Sequence, residues 1–218
     1  MVFPVVGGDG KPTGYEIENS GRFDNTGGSA LGLTFGTATN SKKFTLSFWY
    51  KICSGTISGG RTVFGGRSGY NNIFIHEDTM RMDWNNASSG TVNWAPLLRD
   101  QSAWYHFVIA QDTSQSTASD RAKFYINGTQ AGIRSGVNLT YPAQNLDIKI
   151  GAAELNRIGK ESEQSTLFDG YMAEFVYIDG QQLDASYFGE TNSATNIWVP
   201  KPIGAQVGSF GTNGFYLD

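Results

Sequence analysis

Apolar and polar residues alternate most regularly in KFTLSFWYKI, residues 43–52. Phe44, Leu46, Phe48, Tyr50 and Ile52 fall on one face, and Thr45, Ser47, Trp49 and Lys51 on the other. A period of two over that length is the pattern of a β-strand with one face buried. Shorter runs of the same kind predict strands at 61–66, 72–77, 79–84, 104–112, 122–128, 146–152 and 171–180. Their spacing leaves little room for helices. Two of them flank the polar loop TSQSTASD, and the second ends in Asn127-Gly128, a dipeptide that favours a tight turn at positive φ. The one helical turn the pattern allows is QQLDASYFGE (181–190), with Leu183 and Tyr187 four apart and Asp184 or Ser186 placed to cap.

From about residue 191 the alternation stops. Gly, Asn, Ser and Pro predominate, and large apolar residues are isolated. The pattern therefore predicts an N-terminal arm (1–20), an all-β antiparallel sandwich (21–190) and an extended C-terminal tail (191–218). The tail holds Trp198, Phe210, Phe215, Tyr216 and Leu217. At roughly 25 cal/mol per Å² that surface is too costly to leave in water. The tail is expected to lie against the sandwich or a neighbouring subunit, with Trp198 and Phe215 as assembly anchors.

Composition sharpens this picture. The 28 glycines cluster with Ser, Thr and Asn between the apolar runs, as in a protein with many turns. Net charge is −4, and the 16 Lys and Arg residues form no stripe, which disfavours a nucleic-acid partner. Cys53 is the sole cysteine, so neither an intrachain disulfide nor a cysteine-based metal cluster can form. The N-terminal MVFPVVGGDGKPTG has no signal-peptide pattern, and no run approaches the ~20 apolar residues of a membrane span. A soluble chain made without export, and not inserted in a membrane, is expected. The sequons at Asn86, Asn127 and Asn138 are then chance occurrences.

Candidate chemistry is sparse. FDGYMAEFVYIDG (168–180) carries Asp169, Glu174 and Asp179, but Glu174 and Asp179 are five apart and point to opposite faces of a regular strand. A glycosidase needs two carboxyl groups ~5–5.5 Å or ~6.5–9.5 Å apart, and no Glu-x-Asp-x-Glu strand occurs. The two histidines, His76 and His106, are separated, and His106 lies inside an aromatic strand where packing is its expected role. No Gly-x-Ser-x-Gly elbow is present, and the Gly-rich 58–69 lacks the lysine of a phosphate loop. Loop carboxylates at Asp78, Asp112, Asp120 and Asp169 leave calcium as the one candidate metal, with Asp112 and Asp120 the named ligands. Trp84 and Trp94 flank the amide-rich NNASSGTVN. Together with Asn85 and Asn86 they form the candidate glycan contact.

The ordered pieces KFTLSFWYK, AWYHFVIAQD, DRAKFYINGTQ and FDGYMAEFVYIDG resemble the concanavalin A-like, laminin G-type jelly roll over about residues 20–180. A narrower resemblance lies at the two ends. FPVVGG with TGYEIENSGRFD, then AEFVYIDGQQLDASYFGETNSATNIWVPK and FGTNGFYLD, resemble structural proteins of marine tailed bacteriophages that carry this jelly roll. The shared pieces fall at 179–183, 188–190, 198–201 and 211–215. This resemblance implies a non-enzymatic virion protein, made in the host cytoplasm and displayed as a fibre, tail appendage or head decoration. Its partners would be other virion proteins and further copies of itself. The alternative is a carbohydrate-binding module that attaches to host surface glycans.

Overall fold

The structure is a computed structural model that describes residues 14–53, 60–66, 72–76, 78–84, 89–136, 139–161, 166–204 and 206–218. In chain order its strands are β1 (Gly21–Phe23), β2 (Leu31–Thr34), β3 (Lys43–Ile52), β4 (Gly60–Gly65), β5 (Asn72–His76), β6 (Thr79–Trp84), β7 (Gly90–Asn93) and β8 (Tyr105–Asp112). They continue with β9 (Ala122–Ile126), β10 (Thr129–Gln130), β11 (Leu155–Ile158), β12 (Gly170–Asp179), β13 (Gly189–Thr191), β14 (Trp198–Pro200) and β15 (Phe215–Leu217). One sheet has the order β1-β12-β3-β8-β9-β10, with β15 also on β12; the other has the order β2-β11-β4-β5-β6-β7. All pairings are antiparallel. None of the described helices is long and apolar enough to cross a membrane.

The alternation of 43–52 explains the core. Phe44, Leu46, Phe48, Tyr50 and Ile52 all point between the sheets, where they meet Phe107, Ile109, Phe124, Phe175 and Tyr177 of their own sheet. Val63, Phe64, Ile73, Ile75, Met80, Met82, Trp84 and Val92 close on them from the other sheet. Asn127 (φ 45°) and Gly128 (φ 80°) form the two-residue turn between β9 and β10, the mirror-image turn that the dipeptide favours.

Residues 146–152 are not a strand. Ile148 and Ile150 are buried, but the Ile148 N–H goes to the Ser41 carbonyl and the Asn145 N–H to Thr113, both in loops rather than in a neighbouring strand. The paired strand lies just beyond, at β11.

The second face of β3 is not a solvent face. Thr45 and Ser47 are as buried as the core, because residues 181–216 fold back over this side of the sheet. There Val108, Val176, Ile178, Ala185, Phe188 and Val207 make a second apolar layer, with Trp198, Ile203, Phe210 and Tyr216 packed against it. The tail contributes β14, which pairs with β13, and β15, which pairs with β12. It is thus less extended than its composition suggests. Thr45, which it covers, is fully engaged: its Oγ1 donates to the Gln181 carbonyl (2.8 Å) and accepts from the Leu183 N–H (2.9 Å).

His106 sits at the centre of this layer. Trp198 Nε1 donates to His106 Nδ1 (3.0 Å), so the imidazole proton resides on Nε2, facing Ser47 Oγ at 3.0 Å. Burial lowers the pKa of His106 from 6.5 to about 3. An unfolded chain protonates this ring near 6.5 and the folded chain only near 3. Between those values the unfolded state binds more protons, and folding stability falls as pH falls. His106 should therefore cost about 1.4 kcal/mol of stability per pH unit on acidification from 6.5 towards 3. Urea unfolding of wild type and His106→Gln across that window checks this: the stability difference between them should shrink steadily as pH drops. A difference independent of pH would contradict it.

Candidate functional site

The residues singled out from sequence are scattered. Trp84 and Trp94 are 0% and 1% exposed, so the expectation of a sugar-stacking pair there is corrected. Met80, Met82 and Trp84 share the inward face of β6, and Trp94 packs on Phe124 at 5.0 Å between ring centroids. Neither indole offers a face to a ligand. Asn85 and Asn86 lie outside the described residues.

Asp112 is buried, and its carboxylate is already engaged by the Ser114 N–H (3.0 Å), Gln115 Nε2 (2.8 Å) and Lys43 Nζ (3.0 Å). Burial pushes its pKa up, but the hydrogen bonds from Ser114, Lys43 and Gln115 outweigh this and hold it below the ordinary carboxylate value. Asp120 pairs with Lys123 at 3.1 Å. Among the described residues no group of three or more His, Cys, Asp or Glu side chains is gathered for a metal.

The two tail anchors dock on their own sandwich. The Trp198 indole lies so close to Gly128 and Gly189 that a Cβ at either would come within 2.3 and 2.6 Å of it. Those two glycines are its seat. Phe215 lies 6.0 Å from each of Phe35, Phe175 and Tyr177.

A concave site opens where the tail cover ends. Trp49 and Ala173, opposite one another on β3 and β12, form its floor with Trp104. Pro200 of β14 closes one side, and Ile17, Glu18, Asn19 and Ser20 of the N-terminal segment close the other. The hollow measures about 300 Å³. Trp104 is 38% exposed, and its ring lies 6.4 Å from that of Tyr171, over which the Arg22 guanidinium sits at 5.5 Å. Trp49 is held by its contact with the His106 ring at 4.9 Å. The sequence placed Trp49 on the polar side of strand 43–52. That mismatch was the available signal, because a tryptophan among Thr45, Ser47 and Lys51 must be covered or used.

A second hollow of about 470 Å³ adjoins the first and shares Glu18 and Asn19 with it. Gly14, Tyr15, Glu16, Glu174 and Asp218 complete its walls. Glu174 is the extra residue of a β-bulge: its φ is 51°, and the register of β12 on β3 shifts between Ala173 and Val176. Because of this bulge Met172, Phe175 and Tyr177 all face the core. The Glu174 carboxylate accepts from the hydroxyls of Tyr15 (3.0 Å) and Tyr216 (2.5 Å). Burial and the neighbouring Glu174 both raise the Tyr216 pKa. Asp179 lies apart, with Oδ2 accepting from the Thr39 N–H (2.7 Å) and the Asn213 N–H (3.2 Å).

Two facing antiparallel sheets with an aromatic hollow on the outer side of one define a lectin-like β-sandwich. Residues 25–186 match the model of the Concanavalin A-like lectin/glucanases superfamily, and the chain belongs to that family. Among solved structures it is similar to domains LG4-5 of the mouse laminin alpha1 chain, with TM-score 0.51 and 15% identity, covering 84% of this chain and 48% of that one. It is also similar to domain 4 of AbnA, an extracellular arabinanase from Geobacillus stearothermophilus in complex with arabinotriose (TM-score 0.45, 16% identity, 76% and 83% covered). A third similar structure is of botulinum neurotoxin type C, whose cell entry is described as dependent on two ganglioside molecules (TM-score 0.44, 17% identity, 68% and 34% covered). The chain spans about half of the laminin fragment and about a third of the neurotoxin chain. A comparison with curated protein sequences finds no match.

The contrast among tryptophans is measurable. Trp84→Ala should destabilise the fold by about 3–5 kcal/mol, as expected for a large aromatic lost from a core. Trp104→Ala should cost about 1 kcal/mol or less, since much of that ring is in water. Equal losses in urea titrations would contradict the assignment of Trp104 to the surface.

Proposed function

We propose that this protein is a non-enzymatic carbohydrate-binding module whose ligand docks in the hollow floored by Trp49 and Trp104. The observation that carries this reading is that two indoles open into one small concavity with a polar rim, Glu18, Asn19 and Ser20. A sugar ring has C–H faces that pack on indole and hydroxyls that need partners at its edge, and this combination meets both needs. The volume sits at the low end of the ~300–1,000 Å³ typical of small-ligand pockets, which suits one ring at a time.

The two β12 carboxylates support binding rather than hydrolysis. Glu174 has both oxygens occupied by tyrosine hydroxyls, and Asp179 is bound to backbone N–H groups away from the hollow. Neither is placed as a free acid–base partner for a bond in the cleft.

A second reading rests on the four sequence pieces at 179–183, 188–190, 198–201 and 211–215, whose order resembles that of phage virion proteins. In that setting the module is displayed on the particle as a fibre, appendage or head decoration, and its sugar site contacts the host surface. The two readings are compatible. Antibody labelling of intact particles tests the second, with label on tail or head expected and its absence contradicting it.

For the first reading, a glycan array probed with wild type and Trp104→Ala is decisive. Binding should fall at least tenfold in the variant with thermal stability nearly unchanged, and no reducing ends should be released from any bound glycan. Full binding by Trp104→Ala, or turnover of a glycan, would contradict the proposal.

A further inference from the structure

Resting on the reading of the aromatic hollow as a sugar site, we propose that the preferred ligand is an oligosaccharide bearing a protonated amine, that is, an amino sugar without an N-acyl group. The two hollows form one cleft, because Glu18 and Asn19 line both. One half is aromatic, with Trp49 and Trp104. This half is a ring-sized seat independent of any charge.

Among the described residues, the charged side chains that line the two hollows have one sign. Glu16, Glu18, Glu174 and Asp218 line the cleft, and among the described residues no Lys or Arg lines either hollow. Two cations lie along the aromatic row outside the hollows: Arg22, bound to Asp169 at 2.9 Å and stacked on Tyr171, and Lys51, paired across the sheet from Tyr171. A ligand with carboxylates or sulfates meets repulsion here, and a neutral one gains nothing from the field. A ring carrying an ammonium gains twice: from Glu18 beside the seat, and from the indole faces, whose quadrupole attracts a cation.

Glu174 adds a fixed carboxylate behind this contact. It is 3% exposed, held between Tyr15 and Tyr216, and so takes no part in direct exchange with a ligand. Glu18 is exposed and free to move onto the amine. A loose acidic patch would attract any polycation. The aromatic seat one wall away demands a ring as well, and this favours an amino sugar over a lysine-rich peptide.

The test is isothermal titration of the full chain with chitosan, chitin and galacturonate oligosaccharides of equal length, at low and high salt. The expected result is at least tenfold tighter binding of chitosan than of chitin oligomers at low salt. That ratio should shrink as salt screens the charges, and galacturonate should show no binding. Glu18→Gln should bring the chitosan-to-chitin ratio close to one, and Trp104→Ala should abolish binding of both. Equal affinity for chitosan and chitin, both lost in Trp104→Ala, would overturn the amine preference and leave the sugar site standing. Chitosan and polylysine bound equally well, with no effect of Trp104→Ala, would overturn the inference in favour of a plain acidic patch. Failure of every glycan on the array would remove the sugar site itself.

Discussion

The outer face of the first sheet must be covered, and the Trp198 indole is the fastener that covers it. It sits on two glycines that cannot carry a Cβ and donates to a histidine whose other nitrogen is turned to Ser47. Without that indole, His106 Nδ1 and the apolar row Val108, Val176 and Ile178 would face water or an empty layer. A buried neutral imidazole is tolerable only with both nitrogens engaged. The tail is therefore a third layer of the fold. The segments 188–190 and 198–201 gain a structural meaning from this: Gly189 is part of the seat, Trp198 the fastener, and Pro200 the end of the cover.

Where the cover ends, the site begins. Pro200 stops short of Trp49 and Trp104, and the N-terminal segment crosses on the far side, so the aromatic end of the sheet stays open between two walls. The bulge at Glu174 works with this. β1 and β15 share the same edge of β12, the first along 170–172 and the second along 175–177, and Glu174 falls in the gap between them. A left-handed backbone at a glutamate is costly, about 1–3 kcal/mol for such strained positions. Here two tyrosine hydroxyls, one from each terminal segment, meet the carboxylate that this conformation presents. The same residue thus ties both terminal segments to the sheet and adds a carboxylate to the wall of the cleft.

Much of the fold was legible in the sequence. Five large apolar residues at every second position of 43–52 left no doubt about strand or inner face, and Asn127-Gly128 marked its turn through the φ values those residues tolerate. The site was less legible, because sequence gives the face of a strand but not what lies over it. Met80, Met82 and Trp84 at spacing two already placed Trp84 inward, yet its polar neighbours suggested a surface. Trp49 faced outward in the pattern, but whether an outward tryptophan is covered depends on where a tail 150 residues later stops. The bulge carried no glycine to announce it, so the slip in parity between Met172 and Phe175 was hidden, although Glu174 and Asp179, with regular alternation from one to the other, do face opposite sides. The separation of the two acids nevertheless stands, since Asp179 turns towards Thr39 and Asn213.

The five tryptophans give the most direct test of the central claim, that the ligand sits on Trp49 and Trp104. Each has one indole N–H resonance in a 15N-labelled sample, assignable by single Trp→Phe replacement. On titration with chitosan or chitin oligosaccharides, the signals of Trp49 and Trp104 should move in a saturable way, while those of the buried Trp84 and Trp94 and of the anchored Trp198 stay in place. Shifts confined to Trp198, or saturable binding that leaves Trp49 and Trp104 unmoved, would contradict the account.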